Sequence, residues 1–205
     1  MHIKICGLFR EEDIDYVNEA RPDYAGFVFA ESRRKVSQEF AARLRHRLSD
    51  DIVPVGVFIN APFVDIAALY RENVIAIAQL HGTENDDYIA RLKAASAEGG
   101  RKPVEVIKTV QSAELEQNTP VAADYYLIDS GAGSGRSFNW ELLNSFKFEK
   151  PWFLAGGVSL DNIEQAMAFN PFALDISSGA ETDGIKDREK IVQLVSMVRK
   201  GKNHE

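Results

Sequence analysis

The 205-residue chain is predicted to fold as an α/β protein, a single-domain (β/α)8 barrel (TIM barrel) spanning residues 1–205. Three observations predict it. Short apolar runs alternate with amphipathic stretches from end to end, a pattern that means parallel strands joined by right-handed crossovers. Eight such units follow one another with no left-over hairpin, which favours closure over an open sheet. Strands such as Val55-Gly56-Val57-Phe58-Ile59 are almost continuously apolar, as strands covered on both faces are. An open doubly wound sheet with fewer strands is the alternative.

The elements follow in order. Residues 3–6 open the chain as a strand, alternating at Ile3, Lys4 and Ile5, and a helical pattern follows over 11–20. Strands 24–29, 53–59 and 75–80 are each followed by a helix, at 38–48, 63–72 and 85–97. The fifth unit pairs strand 104–110 with a short helix at 113–117, the weakest of the set because Pro120 follows closely. Strand 125–129 precedes helix 140–146, and strand 152–155 precedes helix 160–169, with Ser159 or Asp161 as its cap. Strand 173–177 leads to the clearest helix, 186–199, where Ile191, Leu194, Val195 and Val198 form one stripe and Asp187 in the first turn suits the dipole.

Composition narrows the function classes. The chain is 45% hydrophobic and 27% charged, and no apolar run reaches the length of a bilayer span. A net charge of −7 opposes general binding to nucleic acid or anionic membranes. No basic segment followed by an apolar one opens the chain, and its one cysteine cannot form an internal disulfide, so a cytoplasmic location is expected. Of two basic clusters, Arg43, Arg45 and Arg47 spread over a helical surface, whereas Ser32-Arg33-Arg34-Lys35 falls just past a strand end.

In a barrel of this kind chemistry gathers at the C-terminal strand ends. There the sequence places Cys6, Arg33 and Arg34, Asn60, Gln79 and His81, Asp129, Gly156-Gly157, and Asp175 with Ser177-Ser178-Gly179. Cys6 can be a nucleophile, a base or a small core residue. The glycine-rich ends of strands seven and eight suit phosphate, because bare backbone lets amides converge on an anion; they can also be simple turns. Gly131-Ala132-Gly133-Ser134-Gly135-Arg136-Ser137 fits neither a P-loop nor a dinucleotide fingerprint, and reads as a loop over the site that lends amides to the phosphate. His2, His46, His81 and His204 are scattered, so no metal site is expected, and Ser178, His81 and Asp129 lack the nucleophile elbow of a hydrolase.

A set of motifs then occurs in order over almost the whole chain. It comprises Lys4-Ile5-Cys6-Gly7, Gly26-Phe27-Val28-Phe29 with Ser32-Arg33-Arg34, and Val55-Gly56-Val57-Phe58. Gln79-Leu80-His81-Gly82 and Gly133-Ser134-Gly135 with Phe138-Asn139-Trp140 follow. Ala155-Gly156-Gly157 with Asn162, and Asp175-Ile176-Ser177-Ser178-Gly179-Ala180-Glu181 with Gly184 and Lys186-Asp187, complete it. The ordered set resembles the phosphoribosylanthranilate isomerase family of tryptophan biosynthesis.

The resemblance implies a cofactor-free barrel that performs an Amadori rearrangement, converting an aminoaldose to an aminoketose. It implies Cys6 as general base, Asp129 as general acid, Arg34 on the anthranilate carboxylate, and His81 and Asp175 in the substrate pocket. Gly133, Gly135, Gly156, Gly157, Ser177, Ser178 and Gly179 are the expected phosphate ligands. The partner is then one small phosphosugar-anthranilate substrate, with the protein a monomer or homodimer. The base must be a thiolate and the acid a protonated carboxyl, whereas free cysteine titrates at about 8.5 and aspartate at about 3.9. The pocket is therefore expected to lower the thiol pKa, raise that of the carboxyl, or work with a small competent fraction.

Phe9, Ala132 and Asn139 depart from the family pattern, where threonine, glycine and aspartate are usual. Rival readings fit less well. A metal-dependent sugar-phosphate epimerase would show paired histidines. Indole-glycerol-phosphate synthase would show catalytic lysine and glutamate, and the related isomerase of histidine biosynthesis an aspartate where Cys6 stands. A non-catalytic barrel would not need Cys6, Asp129 and Arg34 together.

Overall fold

A computed structural model describes residues 1–111, 122–129, 143 and 148–201, with the side chain of residue 111 outside the description. Eight parallel strands close into a barrel in the order of the chain. They are β1 His2–Cys6, β2 Tyr24–Val28, β3 Val53–Phe58, β4 Ile77–Leu80, β5 Glu105–Gln111, β6 Tyr125–Asp129, β7 Trp152–Ala155 and β8 Ala173–Ile176. Closure comes from β1 pairing with both β2 and β8, with Lys4 level with Tyr24 on one side and Asp175 on the other.

Helices α1 Glu11–Ala20, α2 Gln38–Arg47, α3 Phe63–Arg71, α4 Asp86–Ser96, α5 Ile163–Ala168 and α6 Arg188–Gly201 flank the barrel. The expected helices at 113–117 and 140–146 lie outside the described residues. Between β8 and α6 the chain makes a 3-10 turn, Ser178–Ala180, and a two-stranded hairpin, β9 Glu181–Thr182 with β10 Ile185–Lys186. Neither was expected; the 186–199 pattern had extended the last helix backwards over β10. Asp187 is instead its N-cap, accepting from the amides of Glu189 and Lys190.

Helix α5 also starts later than expected, at Ile163. Asn162 precedes it and is turned backwards: its Oδ1 accepts from Ser159 N at 2.8 Å and its Nδ2 donates to Gly157 O at 2.9 Å. Neither Ser159 nor Asp161 caps the helix. The amide side chain pins the turn after β7 to the helix start.

Two apolar layers hold the molecule together. Outward residues of the strands, such as Ile3, Ile5, Phe27 and Leu174, pack against Ile14, Leu44, Ile66 and Leu194 of the helices. Inward residues Tyr24, Val55, Ile77, Ile107, Leu127, Phe153 and Ala173 fill the barrel's own interior. The inward set turns polar toward the C-terminal ends, with Lys4, Gln79 and Asp175 buried there. Among the described residues no helix is long and apolar enough to cross a membrane.

Candidate active site

The strand alternation that sends Ile3 and Ile5 outward sends Lys4 and Cys6 inward. Cys6 ends β1 opposite Gly26 of β2, and a Cβ on Gly26 would stand 2.8 Å from its sulfur. The bare backbone of β2 therefore makes the room that the thiol occupies. Cys6, His81 after β4, Asp129 at the end of β6, Asp175 of β8 and Arg34 from the β2–α2 connection line one cavity of about 420 Å³. Gly156, Gly157, Ser177 and Ser178 line it as well. Gly133 and Gly135, like Ala132, Arg136 and Asn139, lie outside the described residues. Phe9 packs partly buried against the helical core, and its amide, with that of Arg10, donates to Asp13.

The turn after β7 and the 3-10 turn after β8 touch closely. A Cβ on Gly179 would lie 2.0 Å from Val158 O, which is backbone and cannot yield. Gly156 and Gly157 both hold positive φ, 89° and 79°, so the pair folds back where other residues would be strained. Among the described residues, the amides of Gly157, Ser178 and Gly179 donate to no protein group. Unpaired amides on two abutting turns are what an anion needs.

The charged groups are arranged in two sets. Below the thiol, the fully buried Lys4 ammonium donates to Gln79 Oε1 at 2.8 Å and to Asp175 Oδ1 at 2.9 Å. At the rim, Glu181 accepts from Arg34 Nε at 2.6 Å and Nη2 at 2.8 Å, from Lys186 Nζ at 2.7 Å, and from Arg33. Gly7, at φ 80°, lets Arg34 cross the end of β1: a Cβ there would meet Arg34 Cδ at 2.4 Å. Across the cavity, His81 Nε2 stands 3.4 Å from Asp129 Oδ2.

Burial pushes the Cys6 thiol up, against the opposing pull of the Lys4 charge. Of the three routes expected, a lowered thiol pKa is therefore not the one the buried site provides. Burial would raise the Glu181 carboxyl, but hydrogen bonds from Arg34 and Lys186 outweigh it and hold it below the usual range. Lys186 is pushed down by burial. Among the described residues no three His, Cys, Asp or Glu side chains gather as a metal would require.

Sequence reasoning assigned no role to Lys4, Glu181 or Lys186, although each falls inside one of the ordered motifs. Lys4 was read as the polar beat of an alternating strand. The missed signal is that a barrel strand has no solvent face, so a lysine inside one has to be paired.

A family model described as N-(5'phosphoribosyl)anthranilate (PRA) isomerase matches residues 3–197. An N-(5'-phosphoribosyl)anthranilate isomerase of Endomicrobium trichonymphae is 45% identical over 203 residues, covering 96% of this chain and 98% of that one. The crystal structure of TrpF from Jonesia denitrificans superposes with a TM-score of 0.82 at 32% identity, covering 97% of each chain. A phosphoribosyl anthranilate isomerase in complex with reduced 1-(o-carboxyphenylamino)-1-deoxyribulose 5-phosphate gives 0.75 at 28% identity, covering 98% and 99%. The barrel, the cavity at its mouth and a match over nearly the whole length agree, and the chain belongs to the N-(5'-phosphoribosyl)anthranilate isomerase family.

Proposed function

We propose that this chain, as one catalytic unit over residues 1–205, isomerises N-(5-phosphoribosyl)anthranilate to 1-(2-carboxyphenylamino)-1-deoxyribulose 5-phosphate in tryptophan biosynthesis. Cys6 acts as general base and Asp129 as general acid. The observation that carries the reading is that the sulfur and the carboxyl line the same cavity, from β1 and β6, three strands apart around the barrel mouth.

The steps follow from the groups. Protonated Asp129 gives its proton to the furanose oxygen while the anthranilate nitrogen pushes its lone pair toward C1, and the C1–O bond breaks. The product is a cationic Schiff base. The Cys6 thiolate then removes the C2 proton, the electrons flow into the iminium, and an enolamine forms that tautomerises to the ketone. The imine is the electron sink, so the protein's own groups suffice without a cofactor. A buried thiol that prefers its proton still works in this order: the iminium charge beside the sulfur favours release of the thiol proton to solvent, which leaves the thiolate to take the C2 proton. Such positioned proton transfers contribute about 10²–10⁴-fold each.

Binding divides between the two rims. The amides of Gly157, Ser178 and Gly179 take the phosphate, with Gly156 and Ser177 shaping the turns and Gly133 and Gly135 supplying further amides. Glu181 occupies the Nε edge of Arg34 and leaves Nη1 for the anthranilate carboxylate. Asp175 spends Oδ1 on Lys4 and keeps Oδ2 for a ribose hydroxyl, and His81 steadies Asp129. The protein works in the cytoplasm, as a monomer or homodimer, on this small phosphosugar-anthranilate substrate.

Conversion is followed by the change in anthranilate fluorescence. Wild-type protein turns the substrate over, and Cys6→Ala and Asp129→Asn each lose roughly 10²–10⁴-fold in kcat. Full turnover by Cys6→Ala overturns the base assignment; none by the wild type overturns the activity.

A further inference from the structure

Lys4 is wholly enclosed in the protein, and the proposed chemical steps leave it without a role. Ionised groups are rarely buried so completely unless something requires the charge. Lys4 and Cys6 stand two residues apart on the inward face of β1, so both side chains enter the barrel and each feels the other's charge. Of the three N–H groups of Lys4 one goes to Gln79 and one to Asp175, which leaves one for the Cys6 sulfur. Gly26 makes the room this sulfur occupies, since a Cβ there would stand 2.8 Å from it.

Other charges also face the sulfur. Asp175 approaches from β8, Lys186 from β10 and Arg34 from the β2–α2 connection, with His81 and Asp129 across the cavity. Lys186 and Arg34 are both committed to the Glu181 carboxylate. Lys4 alone among these cations comes from the strand that carries the thiol.

We infer that Lys4 is the positioning residue of the Cys6 base, its ammonium serving as the counter-ion of the thiolate while Asp175 and Gln79 hold it in place. The inference rests on Cys6 being that base. It deepens the reaction by explaining how a sulfur buried at a strand end becomes anionic at all. The electrostatics agree: burial pushes the thiol up, the Lys4 charge is the largest opposing influence, and Asp175 adds to the rise. Burial would push the Lys4 ammonium down, yet Asp175 and Cys6 together hold it above its ordinary value.

Cys6 is the only cysteine, so its alkylation by iodoacetamide as a function of pH reads its ionisation without substrate or turnover. In Lys4→Met the midpoint moves up by about one unit or more, and alkylation near neutral pH slows roughly tenfold. In Asp175→Asn, with Lys4 retained, it moves down. A merely structural pair would not shift the two variants in opposite directions. In steady state the acid limb of kcat/KM moves up in Lys4→Met by the same amount, so that raising the pH restores activity. If Lys4→Met fails to fold, Lys4→Met/Asp175→Asn removes both charges together, and its midpoint must lie above that of Asp175→Asn. Midpoints of wild type and Lys4→Met that coincide, or an upward shift in Asp175→Asn, overturn the inference. Failure of the base assignment itself shows separately, as isomerisation that survives Cys6→Ala.

Discussion

Arg34 and Glu181 meet through two parallel hydrogen bonds, Nε to Oε1 at 2.6 Å and Nη2 to Oε2 at 2.8 Å. The pair joins the β2–α2 connection to the hairpin after β8, and Lys186 and Arg33 close on the same carboxylate. One carboxylate thus orders three cations and leaves the rim with positive charge in excess, on a protein whose net charge is −7. A doubly anionic substrate needs that local field.

Glu181→Gln keeps the shape of the clamp and removes its charge. KM for the aminoaldose is expected to rise roughly tenfold, the scale of one charge-assisted hydrogen bond, with kcat falling much less. Steady-state fluorescence kinetics check this. An equal fall in kcat at unchanged KM would place Glu181 in the chemical step instead.

Gly26→Ala tests the seat of the sulfur. The added methyl would stand 2.8 Å from Sγ and push the thiol off its line to the substrate. A misplacement of about 1 Å costs on the order of 10² in kcat, with KM little changed, because Gly26 is not among the groups assigned to binding.

Gly179→Ala tests the phosphate turns. Its Cβ would lie 2.0 Å from Val158 O and 2.9 Å from Ser159 Cα, so the two turns must part. Inorganic phosphate, assayed as a competitive inhibitor, is expected to bind roughly ten- to a hundredfold more weakly, the loss of one charge-assisted hydrogen bond.

The buried pair of Lys108 and Glu84 bears on stability. Glu84 Oε2 accepts from Lys108 Nζ at 3.0 Å and from Gly82 N at 2.9 Å, and its Oε1 accepts from Asn60 N at 2.7 Å. Glu84→Ala leaves a buried ammonium without its counter-charge and is expected to cost about 3–5 kcal/mol in urea unfolding. Glu84→Ala/Lys108→Met, with no charge left to bury, recovers much of that loss.

Asp23 contributes to the acid side of the stability curve. Burial would raise its carboxyl, but hydrogen bonds from His2, the Ile3 amide and Arg199 hold it below the usual range. A depressed folded-state pKa adds stability that is complete above the unfolded value of about 3.9 and is lost as pH falls through the folded value. Asp23→Asn therefore loses stability at neutral pH and shows a flatter decline below about pH 4, as thermal melts across that range would record.

The architecture was legible in the chain because a barrel repeats one rule. Each unit must present an apolar strand and a half-apolar helix, and the bounds of α1, β6 and β7 are those the pattern predicted. Cys6, Arg34, His81, Asp129 and Asp175 were legible as polar residues at strand ends, the one place where such a fold leaves room for a ligand. Their roles came from the ordered motifs, since a strand end alone does not distinguish a base from a core thiol.

What the sequence by itself determined is therefore the alternation of elements and the identity of the groups at the mouth, because both follow from local periodicity. Tertiary structure alone decided their partners. Lys4 reaches Asp175 only because β1 closes the barrel against β8, 171 positions away in the chain. Arg34 reaches Glu181 only because a hairpin that no hydrophobic pattern announces follows β8 and carries the carboxylate at its start. Register and closure set these distances, and with them the charge each group can hold, so the electrostatics of the site belong to the closed barrel and to no segment of it.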